Sequence, residues 1–241
     1  MERKLEIFAT FAVVLLIGAL FVPAAQSSEI EIELSEEEKR KIQAAQEIEL
    51  KNGELYLPEN KSEEIGMSKE EKDDFDSILQ EINLWAEEGY FEFEIEIVNE
   101  TEEIIVNTTD ELDVIQQGED SFPQSNITLT PIEERPTGGS NWYKIYTGWT
   151  GVYHEFGLNH FWTQWLASYP GIITVGLISV VLSIATSGAA AAVIIGAAII
   201  ILEVGINTAA NIDEGDGVIW TFKQYWGTPP SWLVFESLEP Q

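Results

Sequence analysis

Few side chains in this sequence are of the types that carry acid–base or metal chemistry. The chain has no cysteine, and its only histidines, His154 and His160, are six positions apart. A helical zinc site of the His-Glu-x-x-His type needs histidines four apart, so that both lie on one helix face. No third ligand and no nucleophile accompany the pair. We therefore expect a polar patch and no metal, cofactor or enzyme activity, and a secreted hydrolase is the least favoured class.

Two acidic groups are also candidate cation ligands. Glu92, Glu94 and Glu96 alternate along a predicted strand, where alternate side chains lie about 7 Å apart and do not converge on one ion. The acidic residues at 213–216 lack the further oxygen ligands and the distal glutamate of a calcium loop. A solvated strand face and a turn into a strand are the preferred interpretations.

The elements of the first half follow from local patterns. Two helix starts have the sequence of a capping box: Ser35 with Glu38, and Ser68 with Glu71. The Asn52-Gly53 pair between alternating apolar residues predicts a β-hairpin. Strict alternation at 91–97 predicts a strand with one buried apolar face, and residues 104–106 are candidates to pair with it.

The negative charge of the chain is concentrated in its first half. The formal net charge is −30; residues 26–140 contain 33 acidic and 8 basic residues, whereas residues 141–241 contain 7 and 2. Nucleic-acid binding needs a basic surface, so this class of function is excluded. The composition indicates two distinct regions, an acidic half and an apolar, aromatic half. Because the chain has no cysteine, neither region is stabilised by a disulfide bond.

Composition divides the chain into four segments. Residues 1–25 combine a basic start, an apolar stretch and small residues near Ala24, which is typical of a cleaved signal peptide; the alternative is an uncleaved anchor. Residues 26–117 are predicted to be an acidic pro-region or solubilising domain, and residues 118–140 a Pro/Gly-rich linker, with processing near 137–141. Residues 141–241 are the predicted membrane-active region. The predicted fold class is α+β, with a small acidic α/β N-terminal region and a C-terminal hydrophobic helical hairpin with aromatic flanks.

Asn-X-Ser/Thr sequons occur at four positions before the end of the predicted linker. In an exported protein these are possible glycosylation sites: Asn60, Asn99, Asn107 and Asn126.

A long apolar run dominates the second half. Residues 171–202 are 32 residues without a charged residue or histidine. A helix of that length would measure about 48 Å, against a hydrocarbon core of roughly 30 Å. The polar interruption at Thr186-Ser187-Gly188 instead predicts a helical hairpin, with arms at 171–185 and from 189 to about 211. The alternative to membrane insertion is a soluble form with the hairpin inside a compact bundle.

Small residues at four-residue spacing let helices approach closely in lipid. This pattern predicts membrane insertion and self-association through a set of mostly small residues: Gly171, Gly176, Gly188, Ala192, Gly196 and Ile200. Aromatic clusters on both sides of the run are typical of the headgroup level of a bilayer. The predicted interfacial anchors are tryptophans: Trp142, Trp149, Trp162, Trp165, Trp220, Trp226 and Trp232.

This organisation resembles that of precursors of secreted peptide or small-protein toxins of the bacteriocin type, although no sequence motif carries the resemblance. It implies a secreted, membrane-associated antimicrobial protein whose hairpin inserts into a target lipid bilayer. Only Lys144 and Lys223 are basic within 141–241, so insertion would depend on apolar area and tryptophan anchoring. The alternative is a cell-surface protein held by its C-terminal membrane segment, with a structural, adhesive or immunity role.

Overall fold

The computed structural model describes residues 34–98, 101–109, 138–168, 175–186, 188–225 and 233–241. All of them belong to one compact unit, Ile32–Gln241. The predicted signal peptide, and the predicted linker up to residue 137, lie outside the described residues. The unit contains helices and antiparallel sheets, which confirms the α+β class.

The acidic half begins with three helices and a small hairpin. Their bounds are α1 Glu36–Gln46, β1 Glu49–Lys51, β2 Glu54–Tyr56, α2 Glu59–Ile65 and α3 Lys69–Glu87. Both capping boxes are confirmed, because each serine accepts from the backbone N–H three residues on and each glutamate accepts from the serine N–H. The hairpin is confirmed as well: Asn52 and Gly53 both have positive φ, as its two-residue turn requires.

Helices α1 and α3 are joined by an ion pair between Arg40 and Glu71. Hydrogen bonds from Arg40 and from the Ser68 backbone hold the pKa of Glu71 at about 2. Helix α3 buries one face, at Phe75, Leu79, Ile82 and Trp85. These residues form part of the core, so α3 is amphipathic and its acidic face remains in water.

The alternating segment forms strand β3, Phe91–Val98, which pairs antiparallel with β4, Thr101–Thr108. The predicted pairing is confirmed, but the predicted apolar face is only partly covered. Ile95 is 53% exposed and Ile97 is 76% exposed, whereas Phe93 on the same strand packs against the core.

A second sheet is built from the aromatic segments on either side of the apolar run. It has the order β5–β6–β8–β9, with bounds β5 Trp142–Thr147, β6 Gly151–Leu158, β8 Val218–Tyr225 and β9 Leu233–Pro240. Only the beginning of β8 was expected from the sequence. The aromatic and β-branched content that suggested a membrane margin equally favours strands, and one face of this sheet enters the core through Phe156, Trp220 and Phe222.

Four described helices lie between strands β6 and β8, and the apolar run forms the second and most of the third. Their bounds are α4 His160–Ser168, α5 Val175–Ala185, α6 Ala191–Val204 and α7 Ile206–Ile212, with a two-residue strand β7, Ala189–Ala190, before α6. The expectation of one continuous arm from 189 to about 211 is wrong. Gly205 has φ 89° and ψ 117°, which no helix accommodates, and the chain bends by 77° there.

The acidic and apolar halves share one hydrophobic core. Its buried side chains from the first half include Ile42, Phe75, Leu79, Trp85 and Val106, and those from the second half include Trp162, Ile178, Val181, Ile200 and Trp220. In this structure the described apolar helices therefore place most of their side chains in a core that both halves share.

Candidate functional site

Helix α6 is the most apolar element that the structure describes. Nine of its fourteen residues are buried: Ala191, Ile194, Ile195, Gly196, Ala197, Ala198, Ile199, Ile200 and Ile201. A helix that is apolar all round must be surrounded by protein or by lipid. Here protein covers most of the helix, although Leu202 near its end is 44% exposed. The elements that cover it define the candidate site.

Helix α5, the neighbour of α6, carries hydroxyl groups that need no partner outside the helix. The Oγ of Ser179 donates to the carbonyl of Val175, and that of Ser183 donates to the carbonyl of Ser179, each at 2.8 Å. The Oγ1 of Thr186 donates to the carbonyl of Leu182 at the same distance. All three residues are buried. Such back-bonding removes the cost of placing a hydroxyl in an apolar medium.

Helix α1 of the acidic half covers α6. Ile42, Ala44 and Ala45 are at most 2% exposed in the contact. Gly196 allows the close approach, because a Cβ there would lie 3.3 Å from Leu233 Cδ2 and 3.8 Å from Ile42 Cγ2. Glu203 is the charged residue of α6, and it lies next to Glu38 at the start of α1. A hydrogen bond with Glu38 and the negative charge of Glu38 raise the pKa of Glu203.

Helix α3 covers α5 in a similar way. A Cβ at Gly176 would lie 2.5 Å from Glu81 Oε2 and 3.0 Å from Glu81 Cγ. Glycine at position 176 therefore lets the long side chain of Glu81 lie directly on the α5 backbone. A charged side chain from the acidic half thus crosses the surface of an uncharged helix.

The turn between α5 and α6 is held by the acidic half through main-chain hydrogen bonds. Strand β7 pairs antiparallel with β4, with Ala189 opposite Val106 and Ala190 opposite Ile105. The N–H of Gly188 also donates to the carbonyl of Val106 at 2.7 Å. The tip of the apolar helix pair is therefore a short strand in a sheet of the acidic half.

The predicted insertion residues do not form a single stripe in this structure. Gly188 precedes α6 and has φ 87°, so it belongs to the turn and not to the helix face. Ala192 is partly buried, Gly196 and Ile200 are buried, and Gly176 contacts α3. Gly171 lies outside the described residues. The described faces of this set contact the acidic half or the core, and their role in a bilayer stays a prediction.

Of the five predicted tryptophan anchors that the structure describes, three are buried in the core. Trp162, Trp165 and Trp220 are at most 6% exposed, and Trp142 is partly buried. Trp149 is 99% exposed, at the turn between β5 and β6. Trp226 and Trp232 lie outside the described residues. Of the described anchors, Trp149 is the one fully available to a surface in this conformation.

Sequence reasoning missed a buried carboxylate that joins distant segments. The side chain of Asp213 is 0% exposed and its Oδ2 accepts from His160 Nδ1 at 2.5 Å and from Gln164 Nε2 at 3.0 Å. Its Oδ1 accepts from the N–H groups of Gly215 and Gly217, each at 2.8 Å. Burial by itself would raise the pKa of Asp213, but these hydrogen bonds together lower it. Through these four hydrogen bonds, the Asp213 carboxylate fixes the connection between α7 and β8 to the start of α4.

His154, in strand β6, is 3% exposed and six positions from His160, at the start of α4. Its Nδ1 lies 2.7 Å from the Tyr143 hydroxyl and its Nε2 lies 3.4 Å from Gln224 Oε1. Burial lowers the pKa of His154 to about 4. Across the described ranges, no group of three or more possible ligands could hold a metal ion.

The two described sequons differ in accessibility. Asn60 is exposed in α2, whereas Asn107 is partly buried in β4 and its Nδ2 donates to Glu94 Oε2 at 3.1 Å. Asn99 and Asn126 lie outside the described residues. Glycosylation at all four positions stays a prediction.

Within the described chain, no single helix combines the length and the apolar character needed to cross a bilayer. Helices α6 and α7 meet the length and composition criteria together, despite the bend at Gly205. No protein-family model matches the chain, and comparison with curated proteins and with solved structures gives no match.

Proposed function

We propose that this protein is the exported precursor of a membrane-active, bacteriocin-like antimicrobial protein, stored with its apolar helices covered. In this proposal α5 and α6 form the helical hairpin that enters a target bilayer, and residues 34–109 form its acidic cover. One observation carries the proposal: α1 and α3, which precede residues 110–137 in the sequence, pack on α6 and α5, which follow them. Cutting that connection removes the covalent link, and lipid then competes with the cover for the same apolar faces.

The internal hydrogen bonding of the apolar pair supports a change of surroundings. Ser179 and Ser183 donate to carbonyls within α5, and Thr186, which directly follows α5, donates to the carbonyl of Leu182. Helix α6 has no polar side chain before Glu203. Buried polar groups without partners are the main penalty for moving a helix from a protein core to hydrocarbon. This pair carries no such penalty between Val175 and Leu202 among its described side chains.

The position of the cut is narrowed by contacts at the end of the predicted linker. The carbonyl of Gly138 accepts from the His160 N–H at 3.0 Å. The Ser140 backbone exchanges two hydrogen bonds with the Gln241 side chain, at 3.2 and 2.9 Å. Because residues 138–140 are tied to the C-terminal half, processing upstream of Gly138 preserves that half intact. Within the expected range near 137–141, we therefore propose that the released piece starts at Gly138 or at an earlier residue.

The experiment that tests the proposal uses an uncut chain with a specific protease site inserted between Gly118 and Pro136. Residues 26–241, which contain the whole compact unit, are added to dye-loaded phosphatidylcholine vesicles with and without the protease. We expect dye release only after cutting, because only then can the cover leave. The control is the chain without the inserted site, treated with the same protease.

Three outcomes would contradict the proposal. Cut protein that leaves vesicles intact at micromolar concentration rules out pore formation, and equal release before and after cutting rules out a protective cover. An intact chain recovered only from the producer's washed membranes would instead support the alternative, an anchored cell-surface protein.

A further inference from the structure

One end of the β5–β6–β8–β9 sheet carries exposed aromatic side chains. We define the aromatic tip as Tyr146, Trp149, Tyr153 and Tyr225. Trp149 is 99% exposed, Tyr146 is 37% exposed and Tyr225 is 39% exposed. Large aromatic side chains bury well over half of their surface in most proteins. A tryptophan with almost its entire surface in water is therefore a candidate contact residue for a binding partner.

The aromatic tip is already ordered before anything binds to it. Tyr146 and Tyr153 are a cross-strand pair whose rings stack 5.1 Å apart and within 3° of parallel. The turn closes through a hydrogen bond from Gly148 N–H to the Gly151 carbonyl at 2.8 Å. A Cβ at Gly148 would lie 2.4 Å from the Tyr153 ring, so glycine lets this ring lie on the turn. Pre-ordered rings lose little side-chain entropy on binding.

The charge around the aromatic tip differs from that of the rest of the protein. Residues 145–153 contain no charged side chain, although the chain as a whole carries 42 acidic and 12 basic residues. The nearest cations are Lys144, 4.9 Å from the centre of the Tyr146 ring, and Lys223, 4.5 Å from the centre of the Tyr225 ring. Their carboxylate neighbours, Glu155 at 3.6 Å and Glu236 at 3.7 Å, balance them. The tip is thus a neutral patch on a strongly negative molecule.

We infer that the aromatic tip is the site by which the closed, uncut protein docks on the headgroup region of a zwitterionic lipid bilayer. Amphipathic tyrosine and tryptophan rings favour this level of a membrane. The side chain of Lys144 is 62% exposed beside the Tyr146 ring, so its ammonium group can reach a lipid phosphate. A neutral patch approaches a zwitterionic surface without the repulsion that an anionic surface would exert on the rest of the chain. This inference rests on the proposed function and names the part of the molecule that touches the membrane first.

The test is co-sedimentation of residues 26–241, uncut, with phosphatidylcholine vesicles. Trp149→Ala should weaken partitioning roughly tenfold, because an indole leaving the interface loses at least the transfer free energy of a medium-sized apolar side chain. The matched control is Ile97→Ser, which removes an apolar side chain that is 76% exposed on the separate β3–β4 hairpin. This control should partition like the parent, and neither change should alter the melting temperature, because both side chains are largely in water.

Two results overturn the inference: a parent chain that does not sediment with the vesicles, and a Trp149→Ala chain that partitions like the parent. Dye release after cutting is measured in parallel, so that the two proposals fail separately. Release by cut protein whose uncut form binds independently of Trp149 removes the docking tip and leaves the proposed function. If the uncut chain binds vesicles through Trp149 but the cut protein releases no dye, the docking inference stands and the proposed pore-forming function is wrong.

Discussion

At the scale of single residues, Asp213 has the clearest structural role. Sequence patterns place it only in a turn, because its partners His160 and Gln164 are about fifty positions away and nothing local indicates them. His154 likewise gives no sign of burial in the sequence, since an exposed and a buried histidine look alike there. Burial decides the chemistry of both residues, and burial is set by the whole fold.

We predict that Asp213→Asn lowers the free energy of unfolding by about 2 kcal/mol, because an amide N–H₂ would face the donors of His160 and Gln164. The comparison is Asp216→Asn, an exposed neighbour, which should change little. Since the hydrogen bonds lower the pKa of Asp213 in the folded state, the difference should be complete above the ordinary value of 3.8 and vanish as pH falls through the folded-state pKa. Urea unfolding at several pH values measures the loss of stability and its pH dependence. Equal stability of Asp213→Asn and Asp216→Asn would contradict the anchoring role of Asp213.

His154 should make the protein sensitive to mild acid. The unfolded chain protonates this residue below about pH 6.5, but the folded chain resists protonation until about pH 4. The free energy of unfolding should therefore fall by about 3 kcal/mol as pH decreases from 6.5 to 4, in addition to the contribution of the carboxylates. His154→Gln should remove this part of the slope. Parallel pH dependences of parent and variant would show that His154 is not buried as a neutral imidazole.

At the scale of elements, local signals predict the acidic half well and the apolar half poorly. Both capping boxes, the Asn52-Gly53 hairpin and the β3–β4 pairing act between near neighbours, so a few residues suffice to specify them. The strands β6 and β8 pair across the whole apolar run, and the halves of the second predicted arm separate at Gly205. Non-local pairing and a single backbone break leave almost no mark on composition. The sequence therefore predicts a membrane margin at residues that form aromatic strands in the structure.

Helices α1 and α6 offer a direct test of the cover. Gly196→Leu should lower the free energy of unfolding by roughly 1–3 kcal/mol, because the added side chain has no room between Ile42 and Leu233. Gly196→Ala is the control; its methyl group needs only a small shift of a Leu233 methyl, and the gain in helix propensity of roughly 0.5–1 kcal/mol offsets it. Protease sensitivity of α1 and the melting temperature report the result. Similar behaviour of the two variants would mean that α1 does not pack closely on α6.

At the scale of the whole molecule, composition predicts two halves with different solvents but not how they meet. The charge difference between residues 26–140 and 141–241 is plain in the sequence. The acidic half packs an apolar face against the apolar half, and this face includes Ile42, Phe75 and Val106. This contact is a matter of tertiary packing, which composition does not predict. An amphipathic helix pattern shows that a face is buried, and it does not say against what.

The shared core predicts that the two pieces remain together after a cut between Gly118 and Pro136 when no membrane is present. They should elute as one species in gel filtration, because α1, α3 and β4 all contact the apolar helices. Ala45→Glu should separate them, since Ala45 is 0% exposed and an unpaired charge would enter the contact. Gln43→Glu, the same added charge at a half-buried position of α1, should leave them associated. Spontaneous separation of the cut parent would indicate that the halves are held mainly by their covalent link.

The hydrogen bonds between Ser140 and Gln241 bring the two ends of residues 140–241 side by side. The acidic half could therefore be attached after Gln241 instead of before Gly138, and a circularly permuted chain should reach the same set of contacts. Such a chain would reverse the order of synthesis, so that the ribosome would expose the apolar helices before their cover exists. The soluble yield of the two gene orders would separate what the cover does in the finished molecule from what it does while the chain is being made.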